Sequence, residues 1–164
     1  MAESLFKTVD QVAVVVRDLD ESMRRYTEEF GIGPWSVYTF SPDWIQGMTF
    51  RGRDQNYTMK LALADAGGMM YELIEPVEGP NSYQEFLDAS GEGLHHLGYF
   101  VEDIDEAIKE MEGKGYPLLQ SGRDFGVGGG GAYAYFETEG ALGCIIEAIE
   151  MPEEMPEPER VFPG

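Results

Sequence analysis

The chain has 164 residues and a formal net charge of -20, from 31 acidic and 11 basic side chains. A surface with this charge repels phosphate backbones and anionic lipids, so we expect no nucleic-acid partner and no membrane association. Hydrophobic residues make up 43% of the chain, which is enough for a packed core and excludes a wholly disordered protein.

The first half of the chain predicts one strand, one helix and three further strands. Residues 11–16 (QVAVVV) form a β-branched run that is typical of a strand buried on both faces. Asp18, Asp20 and Glu21 then mark the start of a helix that ends near residue 30, because acidic side chains suit a helix N-terminus. Three strand-like stretches and a short connecting helix complete this half, at residues 35–40, 57–63, 69–74 and 82–89.

The same order of elements begins again in the second half, which predicts a duplicated module. A shift of 85 positions places Gln11 on His96 at the start of the first strand of each copy. A shift of 75 positions places Glu72 on Glu147 near the end of each copy. We therefore divide the chain into a first βαβββ module, a linker, a second βαβββ module and a Pro/Glu-rich tail that is extended or disordered, at residues 8–76, 77–93, 94–151 and 152–164.

Four polar residues lie within apolar strands at equivalent positions of the two copies. Glu72 lies in MMYELI and Glu147 in CIIEAI, where an unpaired buried carboxylate costs several kcal/mol or loses its charge. Lys60 is the one basic residue in the adjoining strand, which is too few to pair both carboxylates. A divalent cation would compensate them, and the repeat supplies Gln11 and His96 as two further ligands. Three oxygens and one imidazole leave room for water or substrate oxygens on a six-coordinate ion.

Each of these residues also has a simpler interpretation. A single glutamate or glutamine in a strand more often faces solvent, and His95 and His96 together could cap a neighbouring segment. The occurrence of all four residues at matching repeat positions favours the metal site over these alternatives.

A glycine-rich segment, GVGGGGAYA at residues 126–134, is typical of a loop that cradles phosphate. This segment precedes a strand instead of a helix, and no Lys-Ser/Thr pair follows it. We therefore expect a flexible rim over the cavity and no phosphate site.

The cellular location is predicted from the cysteine content and the N-terminus. The single cysteine, Cys144, excludes an intramolecular disulfide and is typical of a reducing compartment. The N-terminal MAESLFKTVD lacks a signal-peptide core, and no stretch approaches the roughly 20 apolar residues of a membrane span. We therefore expect a cytoplasmic protein.

Three segments resemble the vicinal-oxygen-chelate superfamily: DQVAVVVRDLDESMRRYTEEFGIGPW, GLHHLGYFVEDIDEAIKEMEGKGYPLL and GGGAYAYFETEGALGCIIEAIE. The resemblance covers about residues 8–151. It implies an α+β glyoxalase/bleomycin resistance/dioxygenase fold, in which two βαβββ modules form a cupped mixed sheet around a metal cavity. The implied ligands of a divalent ion (Zn, Co, Mn or Ni) are Gln11, Glu72, His96 and Glu147, whereas His95 does not align with a ligand. We also expect a homodimer that binds a small-molecule substrate.

The branch that the chain resembles, that of glyoxalase I and methylmalonyl-CoA epimerases, implies proton transfer at the carbon next to a carbonyl. Glu147 is the implied base, and Glu72 could serve the opposite face of the substrate. The dioxygenase branch requires two histidines and one carboxylate, and His96 is the one histidine placed for that role. Bleomycin-binding relatives lack the metal ligands that this chain keeps.

Two departures from the epimerases bear on the substrate. Residues 43–47 (DWIQG) lack the glutamate that methylmalonyl-CoA epimerases usually carry there, and the net charge of -20 disfavours coenzyme A esters. Aromatic residues are abundant in the same region and in the second module, where they either form core or stack on a flat ligand: Trp35, Tyr38, Phe40, Trp44, Phe50, Tyr133, Tyr135 and Phe136. We therefore expect a racemase acting on a neutral aromatic ketone, as dihydrodaidzein racemases do. A methylmalonyl-CoA epimerase, a glyoxalase I-type lyase and a metal-free aromatic-ligand binding protein remain the alternatives.

Overall fold

Alternating apolar strands and two acidic helix starts produce nearly the predicted order of elements. The computed structural model describes residues 4–164. The first part contains β1 (Gln11–Val15), α1 (Leu19–Phe30), β2 (Trp35–Phe40), β3 (Gln46–Phe50), β4 (Arg53–Asp54), β5 (Thr58–Asp65) and β6 (Met70–Glu78). The remainder contains α2 (Ser82–Ser90), β7 (Gly93–Phe100), α3 (Ile104–Gly113), β8 (Leu118–Phe125), β9 (Gly131–Phe136), α4 (Glu139–Leu142), β10 (Ile145–Glu150) and β11 (Arg160–Phe162). Within the described residues, no helix is long and apolar enough to cross a membrane.

All strands join one mixed sheet in the order β11-β2-β5-β6-β1-β7-β10-β9-β8-β3-β4. β1 pairs in parallel with β6, and β7 pairs in parallel with β10, so the two halves repeat one arrangement. β1 and β7 are antiparallel neighbours and join the halves at the centre of the sheet. This mixed sheet with few helices confirms the predicted α+β fold. On this pairing we propose that the duplicated unit corresponds to residues 8–76 and 94–151.

The two main helices begin with the same pair of contacts, which explains why their starts could be predicted. Asp18 caps α1 and Asp103 caps α3, each accepting a backbone N–H bond of 2.9 Å three residues later. A second carboxylate also reaches each helix start. Glu75 accepts a bond of 2.7 Å from the N–H of Leu19, and Glu150 accepts one of 2.8 Å at the first residue of α3. The last long strand of each half, β6 or β10, is thereby connected to the helix of that half in the same geometry.

Two strand regions lie outside the predicted set. The β3–β4 hairpin was not predicted, and β3 pairs with β8 from the other half of the chain. The C-terminal segment is extended, and β11 pairs antiparallel with β2. Both pairings join residues that are far apart in the chain, so no local pattern marks them.

Side-chain alternation separates two faces of the sheet. Along β2 and β9, Trp35 and Phe136 face the side that α1 and α3 cover. Phe40, Tyr133 and Tyr135 face the opposite side, where they join the largest core cluster. The candidate functional residues lie on this second face.

Candidate metal centre

Strand pairing brings the four predicted polar residues to one place. They lie on the consecutive strands β6, β1, β7 and β10, at positions Glu72, Gln11, His96 and Glu147. The register places Ala13 of β1 between Glu72 on one side and His96 on the other, and Glu147 opposite Gly98. All four side chains are buried, with 0 to 6% of their surface exposed.

His96 Nε2 is the point on which the other three residues converge. It lies 3.1 Å from Gln11 Oε1, 3.4 Å from Glu72 Oε2 and 2.9 Å from Glu147 Oε2. Ligand atoms of Glu72, His96 and Glu147 all lie within 4.8 Å of one another, which makes these three a possible metal site.

The two carboxylates provide the test of whether a cation fits. Glu72 Oε2 and Glu147 Oε2 are buried and lack a hydrogen bond of normal geometry, although both lie close to His96 Nε2. Buried anionic oxygens without hydrogen bonds are costly, and a cation removes that cost. Three oxygens and one imidazole nitrogen are a donor set that suits divalent transition metals. The residues therefore fit a divalent ion, and we propose these four as its ligands.

Burial and charge shift the pKa values of the centre in the absence of an ion. Burial lowers the pKa of His96, but the adjacent carboxylates of Glu147 and Glu72 outweigh burial and raise it to about 9. Burial also raises the pKa of Glu72, against the opposing effect of His96. His96 is therefore protonated at neutral pH in the metal-free protein.

This protonation gives a prediction for metal uptake. Since an ion needs the unprotonated Nε2 of His96, uptake at pH 7 should release at least one proton per ion. The apparent affinity should rise about tenfold per pH unit between pH 7 and 9. Calorimetric titration of Zn²⁺ or Co²⁺ in buffers of different ionisation enthalpy measures both quantities. An affinity that does not change with pH would contradict this assignment. The metal-free protein should also lose the stabilising His96 ion pair as the pH rises through about 9.

His95 contacts the centre without joining the converging set. Its Nδ1 lies 2.9 Å from Nδ1 of His96, and its side chain is 2% exposed. Burial, together with the charge of His96, lowers the pKa of His95 well below its usual range, so His95 is neutral. A neutral His95 can accept the Nδ1–H bond of His96 and so hold the His96 Nε2 toward the carboxylates.

A cavity of about 50 Å³ lies beside the centre, with Gln11, Glu72 and Glu147 in its wall. None of its lining residues within the described chain is lysine or arginine. The rest of the wall is apolar or aromatic, formed by Phe40, Met59, Leu61, Leu63, Met70, Phe125, Tyr133, Tyr135, Ile149, Met151 and Met155. The wall is thus suited to an uncharged ligand.

The aromatic residues named from the sequence divide between cavity and core. Phe40, Tyr133 and Tyr135 line the cavity, whereas Trp35 and Phe136 pack in the clusters under the helices. Phe125 and the methionines of the wall were not singled out from the sequence, because nothing local distinguishes them from other core residues.

The tyrosine hydroxyls behind the cavity are already hydrogen-bonded to one another. Tyr83 and Tyr135 are joined at 2.8 Å, and Tyr57 and Tyr133 at 2.7 Å. Burial raises the pKa of all four phenols, so they remain neutral. Tyr133 and Tyr135, the two of these tyrosines that line the cavity, therefore offer their rings to a ligand, and Glu72 and Glu147 are the acidic side chains of the wall.

Residues 43–47, which lack the glutamate that methylmalonyl-CoA epimerases usually carry there, contribute no carboxylate to the cavity wall. Ile45 is buried in the core cluster, whereas Asp43 and Gln46 are exposed and do not line the cavity. The carboxylates in the cavity wall are thus those of Glu72 and Glu147.

Comparison with solved structures supports the same fold. The chain is similar to a methylmalonyl-CoA epimerase from Mycobacterium tuberculosis, with 22% identity, a TM-score of 0.66, and coverage of 93% of this chain and 94% of that one. It is also similar to a substituted form of the Streptomyces coelicolor methylmalonyl-CoA epimerase in complex with 2-nitronate-propionyl-CoA, with 18% identity, a TM-score of 0.62, and coverage of 92% and 99%.

Among curated proteins, the uncharacterised protein YqjC of Bacillus subtilis (strain 168) is 23% identical over 108 residues, which are 65% of this chain and 76% of that protein. The sequence model of the Glyoxalase/Bleomycin resistance protein/Dioxygenase superfamily matches residues 10–136. This match covers most of the chain. The chain therefore belongs to the Glyoxalase/Bleomycin resistance protein/Dioxygenase superfamily.

Proposed function

We propose that the protein is a metal-dependent racemase or epimerase that moves a proton at the carbon next to a carbonyl. The observation that carries this proposal is the convergence of two buried carboxylates and Gln11 on His96 Nε2, at the wall of an apolar cavity. The fold shared with methylmalonyl-CoA epimerases supports an epimerase-type or glyoxalase-like role. We further propose that the protein acts on a small molecule, in the cytoplasm, as a homodimer.

In this proposal Gln11, Glu72, His96 and Glu147 hold one divalent ion. When bound, the ion supplies a positive charge that polarises a carbonyl oxygen and favours loss of a proton from the neighbouring carbon. Glu147 removes that proton from one face of the substrate. Glu72 supplies a proton to the other face, a role that suits its place on β6, because β1 and β7 lie between this strand and β10, which carries Glu147. The apolar wall limits water around the reacting carbon, and the carboxylates exchange their protons with solvent between turnovers.

The substrate that the cavity favours is a neutral aromatic ketone of the isoflavanone kind, as in dihydrodaidzein racemases. The ring faces of Phe40, Tyr133 and Tyr135 provide stacking surfaces beside the carboxylates. The absence of lysine and arginine among the lining residues of the described chain, with the net charge of -20, disfavours polyanionic substrates.

A methylmalonyl-CoA epimerase is the second candidate, and the resemblance in fold to solved epimerases favours it. The cavity lining and the segment around Asp43 count against it. A glyoxalase I-type lyase uses the same ligand types on another carbonyl substrate. A protein that sequesters aromatic ligands would bind the same compounds without moving a proton.

Solvent exchange against a substrate panel separates these candidates. The metal-loaded protein is incubated in deuterium oxide with an isoflavanone, with methylmalonyl-CoA and with the methylglyoxal–glutathione hemithioacetal. We expect deuterium incorporation and stereoinversion with the isoflavanone, because it is an uncharged ketone that carries aromatic rings. Turnover of methylmalonyl-CoA, with none of the other two compounds, would identify the protein as a methylmalonyl-CoA epimerase instead. Tight isoflavanone binding with neither exchange nor bound metal would identify a binding protein.

A further inference from the structure

We propose that the C-terminal segment 151–162, called the strap, forms the outer wall of the cavity, and that Met155 on it sets the largest ligand the cavity accepts. The proposal rests on the proposed function in one respect, in that the cavity beside the metal centre is taken as the substrate site. Met155 is then a specificity-determining residue, and it lies beyond the part of the chain that the family model matches, residues 10–136.

One end of the strap is attached to the glycine-rich loop of the second module. The N–H of Val127 donates a hydrogen bond of 2.8 Å to the carbonyl of Glu154. Pro152 packs directly on Gly126, which has a φ of +100°, and any side chain at this glycine would clash with the proline. The loop therefore holds the strap in place at this edge.

The other end of the strap is attached to β2 of the first module. The carboxylate of Glu159 accepts bonds of 3.0 and 3.2 Å from the N–H and hydroxyl of Thr39. The strand β11 continues this contact by pairing with β2, and Arg160 forms an ion pair with Asp20. The hydroxyl of Tyr38 also donates to the carbonyl of Pro156. The strap thus crosses from one module to the other.

Between these two attachments the strap contributes Met151 and Met155 to the cavity wall. Met155 is partly buried and packs against the core cluster that contains Phe40 and Tyr133. With the strap in this position the cavity measures about 50 Å³. Ligand pockets usually measure about 300–1,000 Å³, so the side chain of Met155 occupies volume that a larger ligand would need. A methionine side chain is flexible enough to move aside when a ring compound binds, at a cost in affinity that rises with the size of the ligand.

The strap also carries negative charge across the cavity. Its acidic residues are Glu153, Glu154, Glu157 and Glu159, all exposed. Arg160 is its one basic residue, and it is engaged with Asp20. A ligand with several negative charges would therefore meet repulsion at the strap, whereas a neutral apolar ligand would not. The charge of the strap therefore favours neutral ring compounds, and a three-ring ketone such as an isoflavanone binds only when the side chain of Met155 moves aside.

The test compares two neutral ketones of different size, acetophenone and flavanone, on the full-length, metal-loaded protein. In M155A the cavity gains volume, so flavanone affinity should rise at least about tenfold while acetophenone affinity changes less than about threefold. In M155W the cavity loses volume, so acetophenone affinity should fall at least about tenfold. V161A is the matched control, because Val161 lies on the strap with 45% of its surface exposed and does not line the cavity.

Calorimetric binding reports the result without any turnover, and thermal unfolding confirms that each variant is folded. Equal flavanone affinity in M155A, V161A and the wild type would overturn the proposal, as would the absence of binding by either ketone to every variant. The proposed function fails separately, if the ketones bind as expected but no deuterium exchange occurs. The strap proposal fails alone if exchange is normal and the affinities do not respond to Met155.

Discussion

Replacing Glu147 with glutamine is expected to lower deuterium exchange at the substrate carbon about 10²–10⁴-fold, the usual contribution of a positioned general base. Glutamine keeps the shape of the side chain and one carbonyl oxygen, but it cannot accept the proton. The fold and much of the ligand binding should therefore persist. The rate is measured by NMR, as loss of the substrate C–H signal in deuterium oxide. Full activity in E147Q would overturn the mechanism.

A matched control lies three residues further along the same strand. Glu150 has a carboxylate that contacts the start of α3 and does not line the cavity. E150Q should exchange within about twofold of the wild type, because its effect is limited to the helix cap. Equal loss of exchange in E150Q and E147Q would show that the effect comes from weakened structure.

The variant E72Q distinguishes deuterium exchange at the substrate carbon from stereoinversion of that carbon in the same experiment. If Glu72 supplies the proton to the second face, E72Q should lose stereoinversion while Glu147 still exchanges the proton on the first face. Inversion without deuterium uptake in the wild type would indicate that the proton returns before it mixes with water. Retained inversion in E72Q would remove Glu72 from the mechanism.

The helices of the two modules could be predicted closely because their signals are local. Asp18 and Asp103 each accept a backbone bond within three residues, so the sequence itself contains both partners. The strands β3 and β11 could not be predicted in this way. Each pairs with a strand of the other half or of the far end of the chain, and strand pairing over such distances leaves no periodic mark in short segments.

The candidate metal site could be located because duplication adds information that a single motif lacks. Glu72 and Glu147 were conspicuous as acids in apolar strands, and the repeat then pointed to Gln11 and His96. The contact of His95 with His96 was not expected, because the alternation of a strand usually directs neighbouring side chains to opposite faces. In the pairing of β1 with β7 the register shifts at this point: Ala13 pairs with His96 and Val14 pairs with Leu94, so the register passes over His95.

The cavity wall was harder to predict than the ligands. Met155 reaches the cavity because the strap crosses between the modules, and this crossing depends on contacts with Thr39 and Gly126 that lie far away in the chain. The one signal in the sequence was the placement of Met151 and Met155 among proline and glutamate residues. Segments that stay disordered are poor in apolar residues of this kind.

The central claim is the divalent ion held at His96, and its most direct test is the metal content of purified protein. His96 is the one nitrogen ligand of the proposed set, and Gln11, Glu72 and Glu147 all converge on its Nε2. Removing the ring should therefore leave two carboxylates with no shared partner and reduce affinity by several orders of magnitude. H95A is the contrast, since His95 contacts the Nδ1 of His96 and not the Nε2 on which the other ligands converge.

We expect about one divalent ion per wild-type chain, measured by plasma mass spectrometry after dialysis. H96A should retain less than about a tenth of that ion. H95A should retain most of it, with affinity lowered about 10–100-fold, as is usual when a hydrogen-bond partner of a ligating histidine is lost. Equal losses from H96A and H95A, or a wild-type protein that binds no divalent ion under any loading condition, would contradict the metal centre.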